Sequence, residues 1–243
     1  GERRNTQELH AEILALRTTF EVQLAELERN LVNLAQILAS EPELIRLMAR
    51  VAALPHSADG SGRGETFPAI QEDLRTVLEP RWQVLRDEQG IRQLQLVTPD
   101  LISVLRLHAP GEHGDALGQF RLLLETTARE RVPQSGFEIG RAFAGLRGAV
   151  PVMAHQADAP PQLVGLIELG ALLDGSIDRL TRSTGVGYGV LLNPNAVSAT
   201  MWDAFKPPRS HEDHSCCFLL AHSRPELRQW IQEGRLAPFN APY

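Results

Sequence analysis

Lysine is almost missing from this chain. Lys206 is the only one among 24 basic residues, so positive charge is carried almost wholly by arginine, whose guanidinium is planar and permanently charged. Genome composition alone can produce that bias. Basic blocks are missing as well. With a formal net charge of -6 and no cluster to offset it, the chain has no face suited to nucleic acid. No run of 18 apolar residues occurs, so the sequence holds no membrane-spanning helix, and no secretory leader is visible. Cysteine is scarce: Cys216 and Cys217 are the two present, and they are adjacent. Neighbouring cysteines rarely bridge because the ring they close is strained, so they neither require nor exclude an oxidising compartment. Enzyme signatures are missing too. There is no Gly-x-Ser-x-Gly elbow, no phosphate loop ending in Gly-Lys-Ser/Thr, no His-Glu-x-x-His and no Gly-x-Gly-x-x-Gly after a strand. The nearest glycine pattern, Gly185, Gly187 and Gly189, precedes a strand, the wrong side for a dinucleotide fold.

What is present is an ordinary globular balance, 43% apolar and 22% charged, in 243 residues, enough for one large domain or two small ones. Leu9, Ile13, Leu16, Phe20, Leu24, Leu27, Leu31, Leu34 and Leu38 recur at steps of three and four. That stripe predicts a long helix, capped at Thr6 and close to a heptad seam, packed on its own domain, on a second subunit, or on each along different lengths. A second helix is expected from Pro42 to Leu54, a flexible loop from His56 to Glu65, and a third helix from Pro68 to Asp87, bent near Pro80 and ended by Gly90.

From Ile91 to Gly170 the pattern becomes mixed. Ile91, Gln93 and Gln95 alternate with Arg92, Leu94 and Leu96, a period-two strand, and Thr98-Pro99-Asp100 turns it back into Leu101 to Leu107. Asp115 stands where the cap of a helix from Ala116 to Arg131 belongs. Gly136 to Gly140 and Leu146 to Ala154 read as strands. Gln162 to Gly170 is apolar on both sides and so is expected at the centre of the sheet. Further on come a helix from Leu172 to Arg182, a strand from Tyr188 to Leu192, and a helix from Ala196 to Phe205 capped through Asn193. A strand from Cys216 to Ala221 and a last helix capped by Ser223 complete the pattern.

Arg106, Arg121, Arg141 and Arg147 all fall in the sheet region beside glycine-rich turns. Guanidinium forks grip carboxylate or phosphate in a bidentate way, so two of them in one cup favour a small anion. Each could equally pair with a nearby carboxylate such as Asp115, Glu138 or Glu168. The same acids could hold an amine or a metal. Glu168 interrupts an apolar strand, so it must find a partner or shift its pKa. His108, His113 and Asp115 flank one loop, but their spacing matches no established zinc pattern. The segment His211 to Cys217 is richer in ligand types, though adjacent cysteines are poor co-ligands in one tetrahedral site.

At these residues the chain resembles the Cache-type extracytoplasmic sensor domains of bacterial receptors, closest to the double-Cache-like branch of sensor kinases, chemoreceptors and diguanylate cyclases. The likeness rests on Leu105 to Pro110, His113 to Leu117 with Phe120 and Arg121, Phe137 to Arg141, Leu146 to Pro151 and Val164 to Gly170, and spans about Leu31 to Leu192. It implies an α+β fold: a long N-terminal helix and a PAS-like antiparallel sheet, with a smaller membrane-proximal α/β part. The expected divisions are 1–54, helical stalk; 55–184, ligand-binding Cache domain; and 185–243, a smaller membrane-proximal module whose sheet is reduced. By motif, the ligand cup is assigned to Arg106, His108, Asp115, Arg121, Glu138, Arg141, Arg147 and Glu168. The resemblance further implies a periplasmic domain of an inner-membrane receptor, not an enzyme and without cofactor, that takes a small molecule and pairs through its first helix. Membrane helices are then expected beyond both ends, in keeping with a start at Gly1 that runs straight into helical pattern. The rival expectation is a scaffold that docks a periplasmic partner protein, or binds a metal or amine in place of an anion.

Overall fold

A strand apolar on both faces, flanked by antiparallel partners, builds the larger sheet. In this computed structural model, which describes residues 2–54, 66–118, 121–210, 217–233 and 235, the strands β1 (Ile91–Val97), β2 (Ser103–Arg106), β3 (Gln134–Ile139), β4 (Ala144–Ala154) and β5 (Gln162–Ala171) form one sheet. Their order is β2-β1-β5-β4-β3, with antiparallel pairing on both sides of β5. The strand that is apolar on both faces is therefore the central one, as its composition requires. Three helices precede the sheet: α1 (Glu2–Ala39), α2 (Pro42–Ala52) and α3 (Thr66–Glu88). A helix α4 (Leu122–Glu130) lies between β2 and β3.

The chain divides into two compact units. The larger comprises Glu28–Glu138 and Gly145–Leu172. Its sheet has two differently built faces. On one, Gly148 of β4 lies against the backbone of Leu31 in α1, and Gly165 of β5 lies under the Met48 side chain of α2. Leu31, Leu44, Leu47, Met48, Leu74 and Leu78 are fully buried and supply the apolar stripes of α1, α2 and α3. On the other face, Val97, Ala149 and Leu166 pack with Leu101, Leu117 and Leu124, so α4 covers one end of it. The remainder of that face is polar.

The smaller unit comprises Gly1–Leu27, Ile139–Ala144 and Leu173–Tyr243. It holds α5 (Asp174–Thr184), β6 (Gly189–Leu192), α6 (Pro194–Thr200), a 3-10 turn at Asp203–Phe205, β7 (Phe218–His222) and α7 (Pro225–Gln232). Strands β6 and β7 pair antiparallel, and Leu192, Val197, Met201 and Phe218 pack with Ile139 and Ala144. Phe20 of α1 stacks on Tyr188 with ring centroids 6.1 Å apart.

Several local expectations are corrected. Thr6 lies inside α1, which already begins at Glu2. The helix expected from Ala116 starts instead at Leu122: Ala116 bridges Ile102, and the amide of Ser103 donates to the Asp115 carbonyl at 3.0 Å. Pairing with the strand has taken the backbone groups that a helix would need. Ser223 is not the cap of α7, whose first flanking residue is Arg224; its hydroxyl accepts from the Tyr188 amide at 2.9 Å. Asn193 does cap α6, accepting from the amides of Asn195 and Ala196 at 2.9 and 3.4 Å. Cys217 is disulfide-bonded, where ring strain predicts an open pair of neighbouring cysteines. The loop expected over 56–65 and the segment 211–216 lie outside the described residues.

Candidate functional site

Every strand of the large sheet sends a polar side chain to the same face. In order across the sheet these are Arg106 from β2, Gln93 and Gln95 from β1, Glu168 from β5, Arg147 from β4 and Glu138 from β3. The register produces the row: Gln95 lies opposite both Arg106 and Glu168, and Glu168 opposite Ala149, one strand position pair from Arg147. Arg121 reaches in from the start of α4.

The row is one continuous hydrogen-bonded network. Arg106 grips Asp115 with both terminal nitrogens, at 2.8 and 2.9 Å, and donates to the Glu112 carbonyl at 2.8 Å. Its Nε donates to Gln95 Oε1 at 3.2 Å, and Gln95 Nε2 passes a hydrogen bond on to Glu168 Oε2 at 3.0 Å. Glu168 is fully buried between Arg121, bonded to its Oε1, and Arg147, 3.4 Å from its Oε2. Arg121 Nε donates to Glu138 Oε2 at 2.8 Å, while Glu138 Oε1 accepts the Leu123 amide at 2.9 Å and so caps α4 from another strand. Arg147 also donates to Gln93 Oε1. Gln93 Nε2 lies 3.4 Å from His108 Nε2, and His108 Nδ1 lies 3.3 Å from the Leu94 carbonyl. A neutral imidazole with its proton on Nδ1 satisfies both contacts at once.

The electrostatics follow from this pairing. Burial presses the Glu168 carboxyl upward, but Arg121 and Arg147 outweigh it and hold it below the usual carboxylate range. Burial and the neighbouring Arg121 charge bring Arg147 down to about 10, still protonated at neutral pH. Burial lowers His108 to about 4, which keeps the ring neutral. Arg106, Arg121 and Arg147 thus face Asp115, Glu138 and Glu168, a charge-balanced set. Exposure is graded: the Arg106 and Asp115 side chains are 14% and 34% exposed, those of Arg147 and Glu168 1% and 0%.

Of the eight residues assigned by motif, the structure brings seven together: Arg106, His108, Asp115, Arg121, Glu138, Arg147 and Glu168. Arg141 is not among them. It belongs to the smaller unit, where its guanidinium lies 5.6 Å from the Trp202 ring centroid. Gln93 and Gln95 were missed. Their signal was in the alternation, since two amides two residues apart share a strand face, and Gln95 is 2% exposed. His113 stands apart from the network, edge-on to Phe67 at 6.2 Å. Among the described residues no group of three or more His, Cys, Asp or Glu side chains could hold a metal ion. A hollow of ≈ 310 Å³ on α3, lined by Arg75, Thr76, Glu79, Pro80 and Gln83, shares no residue with the network.

Comparison with known proteins bears on what such a sheet is for. No curated protein matches the sequence. Among solved structures, the sensor domain of the Vibrio cholerae histidine kinase DctB superposes with a TM-score of 0.55 at 13% identity, covering 78% of this chain and 65% of that one. The chain thus spans about two thirds of that sensor domain, and at this identity the likeness shows the shared fold. The Escherichia coli DcuS sensor domain matches at 15% identity and a TM-score of 0.41, covering 68% of this chain and 99% of that one. The ligand-binding domain of the Campylobacter jejuni chemoreceptor Tlp3, solved with 4-methylisoleucine, matches at 9% identity and a TM-score of 0.35, with 88% and 73% covered. The family described as the double sensory domain of two-component sensor kinases matches residues 6–229, well past both ends of the motifs read from the sequence. With its long first helix, its antiparallel sheet and a family match over nearly its whole length, the chain belongs to these double sensory domains, the Cache-type extracytoplasmic sensors.

Proposed function

We propose that this domain is the periplasmic receptor part of an inner-membrane signalling protein, and that it binds a small carboxylate-bearing molecule on the polar face of the larger sheet. The observation that carries the reading is the row of three guanidinium groups on one sheet face, drawn from β2, β4 and the start of α4. Planar forks held in place by neighbours suit a carboxylate, and their burial strengthens each contact. The domain acts as a receptor, not as a catalyst. Segment 1–54 serves as stalk, 55–184 as ligand domain and 185–243 as the membrane-proximal module. Occupancy passes onward through a small displacement of α1 between two packing states, in a homodimer joined along that helix.

A thermal-shift series with sodium acetate, propionate and glutarate, against sodium chloride at equal ionic strength, tests the reading. At least one carboxylate is expected to raise the melting temperature, and Arg106→Ala to erase that rise. A full ligand shift in Arg106→Ala removes the anion site. No shift with any carboxylate, together with recovery of a bound protein partner, favours the docking scaffold in its place.

A further inference from the structure

We propose that Asp115 is a built-in occupant of the ligand site: its carboxylate sits in the Arg106 fork that the ligand's carboxylate takes over, and binding expels it to solvent. This rests on the carboxylate reading above and specifies how that site is regulated.

Three observations converge on it. The first is geometry. Asp115 fills both terminal nitrogens of Arg106, at 2.8 and 2.9 Å, in the bidentate manner in which a guanidinium takes a free carboxylate. The second is access. The Arg106–Asp115 pair is the solvent-side end of the network, whereas the Arg121–Glu168 and Arg147–Glu168 pairs are sealed, with Glu168 wholly buried. A solute reaches Arg106 first, and a partly exposed pair is far easier to replace than a buried one. The third is charge. The network is balanced, with Arg106, Arg121 and Arg147 against Asp115, Glu138 and Glu168. A carboxylate that entered without expelling another would leave an excess negative charge in a partly desolvated network. Asp115 is the most exposed acid of the three, 34% against 12% for Glu138 and 0% for Glu168, so it leaves at the lowest cost.

The backbone allows the exchange. Asp115 is held on the sheet by its main chain: its carbonyl accepts from Ser103, and the Gly114 amide donates to the Ser103 carbonyl at 2.9 Å. Gly114 itself has φ +89°, a conformation that favours glycine. The side chain can therefore swing out while the loop stays paired. The Glu112 carbonyl, 2.8 Å from Arg106 Nη1, keeps the guanidinium aimed at the site when Asp115 leaves. Asp115 thus sets a threshold: only carboxylates that outcompete it register.

The test is titration calorimetry and thermal shift on the whole domain with sodium acetate, propionate and glutarate. Asp115→Asn is expected to bind the carboxylate that stabilises the wild type at least tenfold more tightly. Asp115→Ala is expected to do the same, which guards against a residual amide contact. Arg106→Gln combined with Asp115→Asn is expected to lose the gain. Unchanged or weaker binding in both Asp115 variants, with wild-type binding intact, overturns the inference and leaves the carboxylate reading standing. Absence of carboxylate binding in the wild type and in both Asp115 variants overturns both.

Discussion

A half-buried imidazole and a fully buried carboxylate in one network give the site an acid limit. The folded His108 titrates at about 4, against 6.5 for the free group. The unfolded chain therefore binds more protons between those values, and stability falls as pH drops from about 6.5 towards 4, by at most about 3 kcal/mol. Glu168 acts in the same direction lower down. Its folded pKa lies below 4.5, so the stability it contributes is complete above 4.5 and is lost as pH falls through the folded value. Urea unfolding at stepped pH is expected to show a midpoint that declines from pH 6.5 downward. In His108→Gln the decline is expected only below about pH 4.5; an identical slope in that variant would show that another group carries it. Much of this was legible at the level of single residues. Glu168 drew notice as a charge inside an apolar strand, and the arginines by their place beside turns. The pairing was not legible, because Arg121 and Glu168 are 47 positions apart and only the folded register brings them together. Gln93 and Gln95 escaped because an amide carries no charge to mark it, although the amides transmit the network from Arg106 to Glu168 and from Arg147 to His108.

At the scale of elements, strands were easier to read than helix starts. A strand's pattern is spread over many residues and survives local competition, so β1 falls where its alternation places it and β4 and β5 where their apolar runs do, with β5 central. A cap depends on one side chain and one set of free amides. Asp115 has the chemistry of a cap, but the backbone around it pairs with β2, and its carboxylate turns to Arg106. A residue from a distant strand, Glu138, satisfies the true start of α4, which no local pattern could announce. The contact of α1 with the sheet is similarly hidden in a glycine. A Cβ on Gly148 would lie 2.9 Å from the carbonyl carbon and Cβ of Leu31 and from the amide nitrogen of Val32, and backbone cannot be repacked as a side chain can. Gly148→Ala is therefore expected to cost about 1–3 kcal/mol through forced separation of helix and strand, read as a lower urea midpoint. Because Gly148 points away from the face that carries Arg147, the carboxylate response should persist in this variant. A melting curve like that of the wild type would mean that α1 is not held as tightly on β4 as the distances require.

At the scale of the whole chain, the first part of α1 carries an exposed apolar seam. The helix runs 38 residues, about 57 Å at the usual rise per residue. Its later stretch is anchored, with Leu31 and Ala35 fully buried. Earlier, Leu9, Ile13, Leu14 and Val22 are 57%, 47%, 57% and 52% exposed. Leu9 and Ile13 belong to the seam spaced by threes and fours. An isolated helix of modest length is marginal in water, and an exposed apolar seam adds a cost of its own. Both liabilities vanish if two copies of the seam pack together, which is the reason for proposing a dimer along α1. The formal charge of -6 opposes loose association, so the pairing has to come from this apolar stripe and not from general attraction. Leu9→Glu combined with Ile13→Glu is expected to shift the domain from dimer to monomer in light scattering after gel filtration. Carboxylate binding by the larger unit should survive, since both substitutions lie outside the residues that form it. A domain that is monomeric before the substitutions, at concentrations up to the millimolar range that tethering to a membrane imposes on neighbours, would remove α1 as the dimer seam.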